Sequence, residues 1–432
     1  MISLCMIVRD EEEFIEDCLR AARPAVDEVV VVDTGSQDRT VEIARGFGAK
    51  IVHFPWNDDF SAARNRGLEA AAGDWILSLD ADEILDISDA DALRRAANQG
   101  LHSGFFMPVV SRLDAERLST CMMMRFFVNR AEIRYRFLIH EQILPDLIHY
   151  ARRIGKRIGH LDLKIDHKGY EPELMDRRDK KERNDRIFRK QLQLYPRDLY
   201  SWYKYAEFLA FVNEDREKLQ QTLWQAHTLM RALPIANLRS MPFAGEIGAY
   251  LAIELFEDKG DPEQALKVLR DCANRALPTP HLYFVLAEIE RKQGRFREAL
   301  AAYERCMAFE GQDLMVSVKD GVIGWESLLG MGLCLMELHE PGKAQERFKQ
   351  SLQCSPGQVD PYVGLAQTAY REGDLQQALE WLTKLLAVHP DCVQAWQTGS
   401  DLLMRLGLQD KAAQWQEEAD QLRGAVAAPR CG

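Results

Sequence analysis

Small residues recur at one fixed interval through the second half of the chain, and that interval restricts the fold more than any other feature. Ala265 and Ala299 lie 34 positions apart, and Ala344, Ala378 and Ala412 follow one another at the same distance. Gly260 and Gly294, Gly373 and Gly407, Pro356 and Pro390, and Gly332 and Ala366 keep that offset too. The period suits one helical hairpin per repeat, with a small residue wherever two helices approach closely. Such a hairpin cannot bury its apolar face alone, so successive hairpins must stack. Ala299 and Ala344 are 45 apart, which places an insertion of about eleven residues near Glu310–Gly324. The stretch from Asp198 to Phe211 reads as an earlier, degenerate repeat.

Residues 1–170 obey a different grammar. Ile2–Val8, Glu28–Val32, Lys50–His53 and Trp75–Leu79 are short, β-branched or apolar runs of the fully buried kind, and amphipathic helical segments lie near 11–22, 38–47 and 60–72. Alternation of this sort predicts βαβ units and a parallel sheet covered on both faces. Ligands of such sheets lie beyond the carboxyl ends of the strands. Asp10, Asp33 and Asp80 each follow a strand end, which predicts one shared ligand site. The expected organisation is an α/β domain over 1–170, an Arg- and Lys-rich joining helix over 171–197 with a solvated charged face, an all-helical repeat domain over 198–423, and a tail over 424–432.

The fourth strand stops abruptly on Asp80-Ala81-Asp82-Glu83. In extended backbone, residues two apart point the same way, so Asp80 and Asp82 can face one cation together. The alternative is a helix cap. Asp89-Ala90-Asp91 repeats the tripeptide without an apolar run before it and reads as the start of a helix.

Four segments in order carry a family resemblance: Ser3–Glu11, Val31–Thr40, Asp59–Asn65 and Leu79–Glu83. Together they resemble the family 2 glycosyltransferases, with the GT-A type of nucleotide-sugar fold. The second half resembles tetratricopeptide repeats, and the pairing resembles a bacterial subgroup that includes peptide glycosyltransferases. The resemblance implies a divalent cation at Asp80 and Asp82 that bridges the donor diphosphate. It implies nucleotide contacts from Glu11, Asp10, Asp33, Arg64, Asn65 and Asp80. The family often has a second acid after Asp33, where this chain has Thr34, and often Asn where it has Asp10. The pair His140-Glu141 resembles the subgroup's His-Glu motif, which implies Glu141 as the general base with His140 as neighbour or alternative base. A late histidine often closes the metal site, a role that falls to His167; imidazole in the ligand set favours Mn²⁺ over Mg²⁺. The plainer readings are a surface salt bridge for Arg64, a core histidine and a surface glutamate for His140 and Glu141, and a structural His167.

Composition narrows the partners. A net charge of −12 over 432 residues argues against nucleic acid. No apolar run approaches a membrane span, and no signal-peptide pattern opens the sequence, so a cytoplasmic location is expected. The nine cysteines are scattered without metal-ligand spacing, as in a reducing compartment. The leading expectation is a metal-dependent, inverting glycosyltransferase that uses a nucleotide sugar, a UDP-sugar first. Its acceptor would be a peptide, protein or glycan, with the repeats docking the acceptor or forming a homodimer. The alternatives are an inactive repeat scaffold and a nucleotidyltransferase; the latter usually needs a glycine near the first strand, which Cys5–Arg9 lacks.

Overall fold

The computed structural model describes residues 1–86, 88–89, 91–112, 118–168, 178–213, 215–312, 318–319 and 321–427. The chain divides into two compact units, Met1–Leu229 and Met230–Gly432.

In the first unit, β1 (Ile2–Val8), β2 (Glu28–Asp33), β3 (Lys50–His53) and β4 (Trp75–Ser78) form the expected parallel core. Helices α1 (Ile15–Ala22), α2 (Thr40–Gly46) and α3 (Phe60–Ala70) connect them. The valines of β2 and the apolar residues of β1 and β4 are buried apart from the half-buried Ile7, so the run pattern and the packing agree. β1 lies between β2 and β4, so the chain reverses its direction of travel across the sheet there. That is the switch point at which α/β sheets open a crevice.

The rest of the sheet departs from the all-parallel expectation. After β5 (Glu83–Leu85) and α4 (Ala92–Asn98), a long antiparallel hairpin joins β6 (His102–Arg112) and β7 (Leu118–Val128). β7 pairs antiparallel with β4. After α5 (Leu144–Arg153), β8 (Arg157–His160) and β9 (Ile165–His167) pair with β6, and β9 also pairs with β5. The sheet is therefore mixed, in the order β3-β2-β1-β4-β7-β6-β9-β5, with β8 on β6.

Two helices, α6 (Arg178–Leu194) and α7 (Leu199–Val212), and most of a third, α8 (Arg216–Ala232), complete this unit. The segment expected as a joining helix with a solvated face buries Ile187, Phe188, Gln191 and Leu192. Its charges are also engaged: Arg186 makes two bonds to Asp58, at 2.8 and 2.9 Å, and Asp185 takes bonds from Tyr205 and Lys218, both at 2.7 Å. The compact unit thus runs past 197 and includes the stretch read as a degenerate first repeat.

The second unit contains five helical hairpins among its described residues, from Ala244–Glu257 paired with Pro262–Arg275 to Val393–Arg405 paired with Gln409–Ala427. Small columns do the work expected of them. A Cβ on Gly332 would lie 2.4 Å from the buried Phe348 ring, and one on Gly364 would lie 2.7 Å from it. Part of the insertion near Glu310–Gly324 (residues 313–317 and 320) lies outside the described residues, as do 428–432 of the tail.

Gly260, Gly294, Gly373 and Gly407 end the first helix of their hairpins at φ between 61° and 83°. His339 holds the same column at φ 60° and is exposed. A left-handed residue other than glycine costs about 1–2 kcal/mol, against roughly 0.5–1 kcal/mol of extra chain entropy that glycine loses on folding. His339→Gly is therefore expected to stabilise the repeats by about 0.5–1 kcal/mol, read as a higher denaturant midpoint. A lower midpoint would contradict this account of the column.

Candidate active site

The loops after β1 and β2 interlock. Asp33 is buried, and its Oδ1 accepts hydrogen bonds from the Gly35 and Ser36 amides at 3.3 and 2.9 Å. His53 Nδ1 lies 3.1 Å from its other oxygen. Burial alone would raise the Asp33 pKa, but the bonds from Ser36, His53 and Gly35 outweigh it and lower it. Gly35, at φ 111°, makes the turn that allows this. Asp10 sits at φ 55°; its Oδ1 accepts from the Gln37 amide at 2.7 Å, and its own amide donates to Ser36 Oγ at 3.1 Å. The Glu11 amide donates to Thr40 Oγ1 at 2.7 Å. Burial, then the nearby Asp82 charge, raise the Glu11 carboxyl to about 7 against the pull of Lys180.

Asp80 stands just past the end of β4 between two arginines. Arg64 Nη2 on α3 donates to its Oδ1 at 2.7 Å, and Arg125 Nη2 on β7 donates to its Oδ2 at 3.3 Å. Arg125 also bonds Glu83, whose other oxygen accepts from the Asp80 amide at 2.9 Å. Burial would raise the Asp80 pKa, yet the two guanidinium groups drive it well below the usual carboxylate range. Glu83 is more buried, and there desolvation prevails and raises its pKa despite Arg125.

Asp82 takes a different partner. Its Oδ2 lies 3.2 Å from His167 Nε2, and Ser111 Oγ lies 3.1 Å from the imidazole's Nδ1. The β5–β9 pairing brings them together by aligning Glu83 with His167, and the Lys168 amide donates to the Asp82 carbonyl at 2.9 Å. The contact with Asp82 raises the His167 pKa, against an opposing effect of burial. Among the described residues, no three His, Cys, Asp or Glu side chains converge as a ready-made cation cage. One carboxylate beside one imidazole is a donor pair that would suit a divalent cation. Asp80 differs from the expectation, since both its oxygens meet guanidinium groups.

The loop 137–142 carries His140 and Glu141 back over this site. Arg64 Nε donates to Glu141 Oε1 at 2.5 Å, so one guanidinium bridges Asp80 and Glu141. The loop is strained, with Phe137 at φ 75° and His140 at φ 51°, and many bonds hold it. The Leu138 and Ile139 amides both donate to the buried Gln191 Oε1, at 2.7 and 3.0 Å. Gln191 donates in turn to Ser201 Oγ, and Gln142 Nε2 donates to Tyr200 OH at 2.8 Å. His140 stacks on Phe188 with ring centroids 5.5 Å apart. Its side chain is exposed, yet the surrounding protein and then Lys204 lower its pKa to about 4.

Glu141, Asp80 and Arg64 are thus brought together, and Asp82 joins His167. Asn65 has another use: its Nδ2 donates to the Tyr135 carbonyl at 3.0 Å and its Oδ1 accepts from the Tyr135 amide at 2.8 Å. Sequence reasoning missed Arg125, Gln191 and Tyr200. For Arg125 a signal existed, a charge inside the apolar strand Met122–Val128.

Residues 3–151 match the glycosyl transferase family 2, and residues 250–306 and 335–414 match tetratricopeptide repeats. A tetratricopeptide repeat-containing protein of Synechococcus elongatus is 44% identical over 147 residues, 34% of this chain and 36% of that protein. The prophage-derived glycosyltransferase SunS of Bacillus subtilis is 25% identical over 226 residues, 50% of this chain and 51% of SunS. An uncharacterized glycosyltransferase of Rickettsia bellii is 39% identical over 84 residues, covering 19% and 28%. The chain thus spans about half or less of these relatives. Among solved structures, YrrB, a repeat protein with an unusual peptide-binding site, is 19% identical, with a TM-score of 0.38 over 48% of this chain and 95% of YrrB. The matched segment 3–151 contains the ends of β1, β2 and β4, together with His140 and Glu141, and His167 lies beyond it. This chain carries a family 2 glycosyltransferase domain followed by tetratricopeptide repeats.

Proposed function

We propose that this chain is a metal-dependent, inverting glycosyltransferase that moves a sugar from a UDP-sugar to a peptide, protein or glycan. One observation carries the reading: Arg64 ties the β4 strand end to the loop bearing Glu141, so a donor-side carboxylate and a base stand at one place.

In this reading the nucleotide lies along the loops after β1 and β2, over Asp10, Glu11 and Asp33. Asp82 and His167 would hold a divalent cation, Mn²⁺ in preference, with Asp80 beside them on the donor side; held there, the ion would supply charge neutralisation for the leaving diphosphate. Glu141 takes the proton from the acceptor group as that group attacks the anomeric carbon. The new bond forms on the face opposite the breaking carbon–oxygen bond, and the nucleoside diphosphate leaves with the bonding electrons. His140, neutral at physiological pH, packs the loop against Phe188 and keeps Glu141 in place. The repeats dock the acceptor, and the groove lined by Gln367, Tyr370, Thr398, Asp401 and Arg405 offers aromatic, polar and charged groups for an extended chain.

Thermal unfolding in the presence of UDP tests the donor site. UDP with Mn²⁺ is expected to raise the midpoint, by about 2.7 kcal/mol of stabilisation at a hundred times the dissociation constant, while neither alone has a comparable effect. Equal stabilisation by UDP without any divalent ion would remove the metal from the account.

A further inference from the structure

Two arginines hold Asp80, and one of them also holds Glu141. The Nε–H of an arginine and its neighbouring Nη–H lie on one edge of the guanidinium plane, an edge that commonly chelates both oxygens of a single carboxylate. In Arg64 that edge is divided. Nη2 donates to Asp80 Oδ1 at 2.7 Å and Nε donates to Glu141 Oε1 at 2.5 Å, with the side chain only 11% exposed. A divided fork has two undivided alternatives, one closed on Asp80 and one closed on Glu141. Whatever draws Asp80 away favours the second, and whatever weakens Glu141 favours the first.

We propose that Arg64 is a positioning residue that couples the two ends of the site, so that engagement of Asp80 by the donor closes the Arg64 fork on Glu141 and fixes it toward the acceptor. The inference rests on the glycosyl-transfer reading above. It follows from the reciprocity of linkage that changes at Glu141 alter donor affinity through Arg64. Arg125 supplies a contrast within the same site. It bonds the other oxygen of Asp80 and also Glu83, and among the described residues these are its carboxylate partners.

The test is a double-mutant cycle read in binding and in kinetics. Wild type, Glu141→Gln, Arg64→Lys and the double variant are titrated with UDP and Mn²⁺ by calorimetry, and the cycle is repeated with Arg125→Lys. Lysine keeps the charge of arginine and loses its fork. Glu141→Gln is expected to weaken UDP binding about 5-fold in the wild-type background, because the neutral amide oxygen holds Arg64 Nε less strongly than the carboxylate does, and the fork shifts toward Asp80, where it competes with the donor. The weakening is expected to vanish in the Arg64→Lys background and to persist with Arg125→Lys. Arg64→Lys is expected to lower the transfer kcat about 10²-fold through misplacement of Glu141, with donor KM little changed. Equal effects of Glu141→Gln in the wild-type and Arg64→Lys backgrounds overturn the coupling, and so does loss of UDP binding in Arg64→Lys alone.

Should Arg64→Lys fold poorly, wild-type protein answers the same question. The Arg64 Nε–H resonance is expected to shift on saturation with UDP and Mg²⁺, and an unmoved resonance overturns the proposal. Failure of the donor reading itself looks different, because wild-type protein would then bind no nucleoside diphosphate under any cation.

Discussion

Glu141→Gln is expected to reduce glycosyl transfer about 10²–10⁴-fold, the range typical for loss of a general base. Glutamine keeps the shape of the side chain and retains an oxygen for Arg64 Nε, so the strained loop keeps its bonds to Gln191 and Tyr200. UDP binding is expected to stay within about tenfold of wild type, weakened only through the shared arginine. The measurement is single-turnover transfer beside calorimetry of UDP with Mn²⁺. Unchanged transfer would move the base elsewhere; abolished UDP binding would make Glu141 part of the donor site.

Asp82→Asn is expected to have a larger effect, abolishing donor hydrolysis and the Mn²⁺-dependent part of UDP binding. The amide lacks the negative charge that a hard cation requires and leaves His167 as the remaining ligand of the contacting pair. Folding is expected to survive, because Asp82 and His167 are partly exposed and their contact lies at the edge of the core. Asp89→Asn supplies the control. Asp89 pairs with Arg95 at the start of α4, so its loss is expected to leave catalysis untouched. Loss of activity in Asp89→Asn with full activity in Asp82→Asn would show that the wrong tripeptide had been assigned.

The parallel half of the sheet was legible because its strands are continuous apolar runs between amphipathic helices. Ile2–Val8 and Lys50–His53 match the observed bounds, and the helices differ by a few residues at their ends. The repeats were legible from their period, since the close contact of Gly332 with Phe348 leaves room for little else. The β6–β7 hairpin was not foreseen. Its strands are apolar on both faces for much of their length, and such runs do not announce their direction. The role of α6 was hidden for a related reason. Among its many polar residues, nothing along the chain singles out Gln191 as the buried one, because its use is to satisfy two amides of a loop 50 residues earlier.

The same limit applied at the site. Alternation in an extended strand brought Asp80 and Asp82 to notice together, but β4 ends at Ser78 and residues 81–82 form a turn, so the two carboxylates take different partners. Arg125 comes from β7 and His167 from β9, strands whose pairing with the rest of the sheet decides both contacts. Arg64, expected at the nucleotide, stands between two carboxylates, a placement the motif does not encode. A motif read in order along the chain identifies the participants, and the sheet order decides their partners.

The most direct measurement is mass spectrometry of donor hydrolysis across a panel of nucleotide sugars, with and without divalent ions, for wild type and Asp82→Asn. The account predicts that wild-type protein releases sugar from a UDP-sugar only with a divalent ion, best with Mn²⁺, and that Asp82→Asn releases none. Hydrolysis that persists in chelator, or that Asp82→Asn retains in full, would contradict a metal-dependent transfer site at the end of β4.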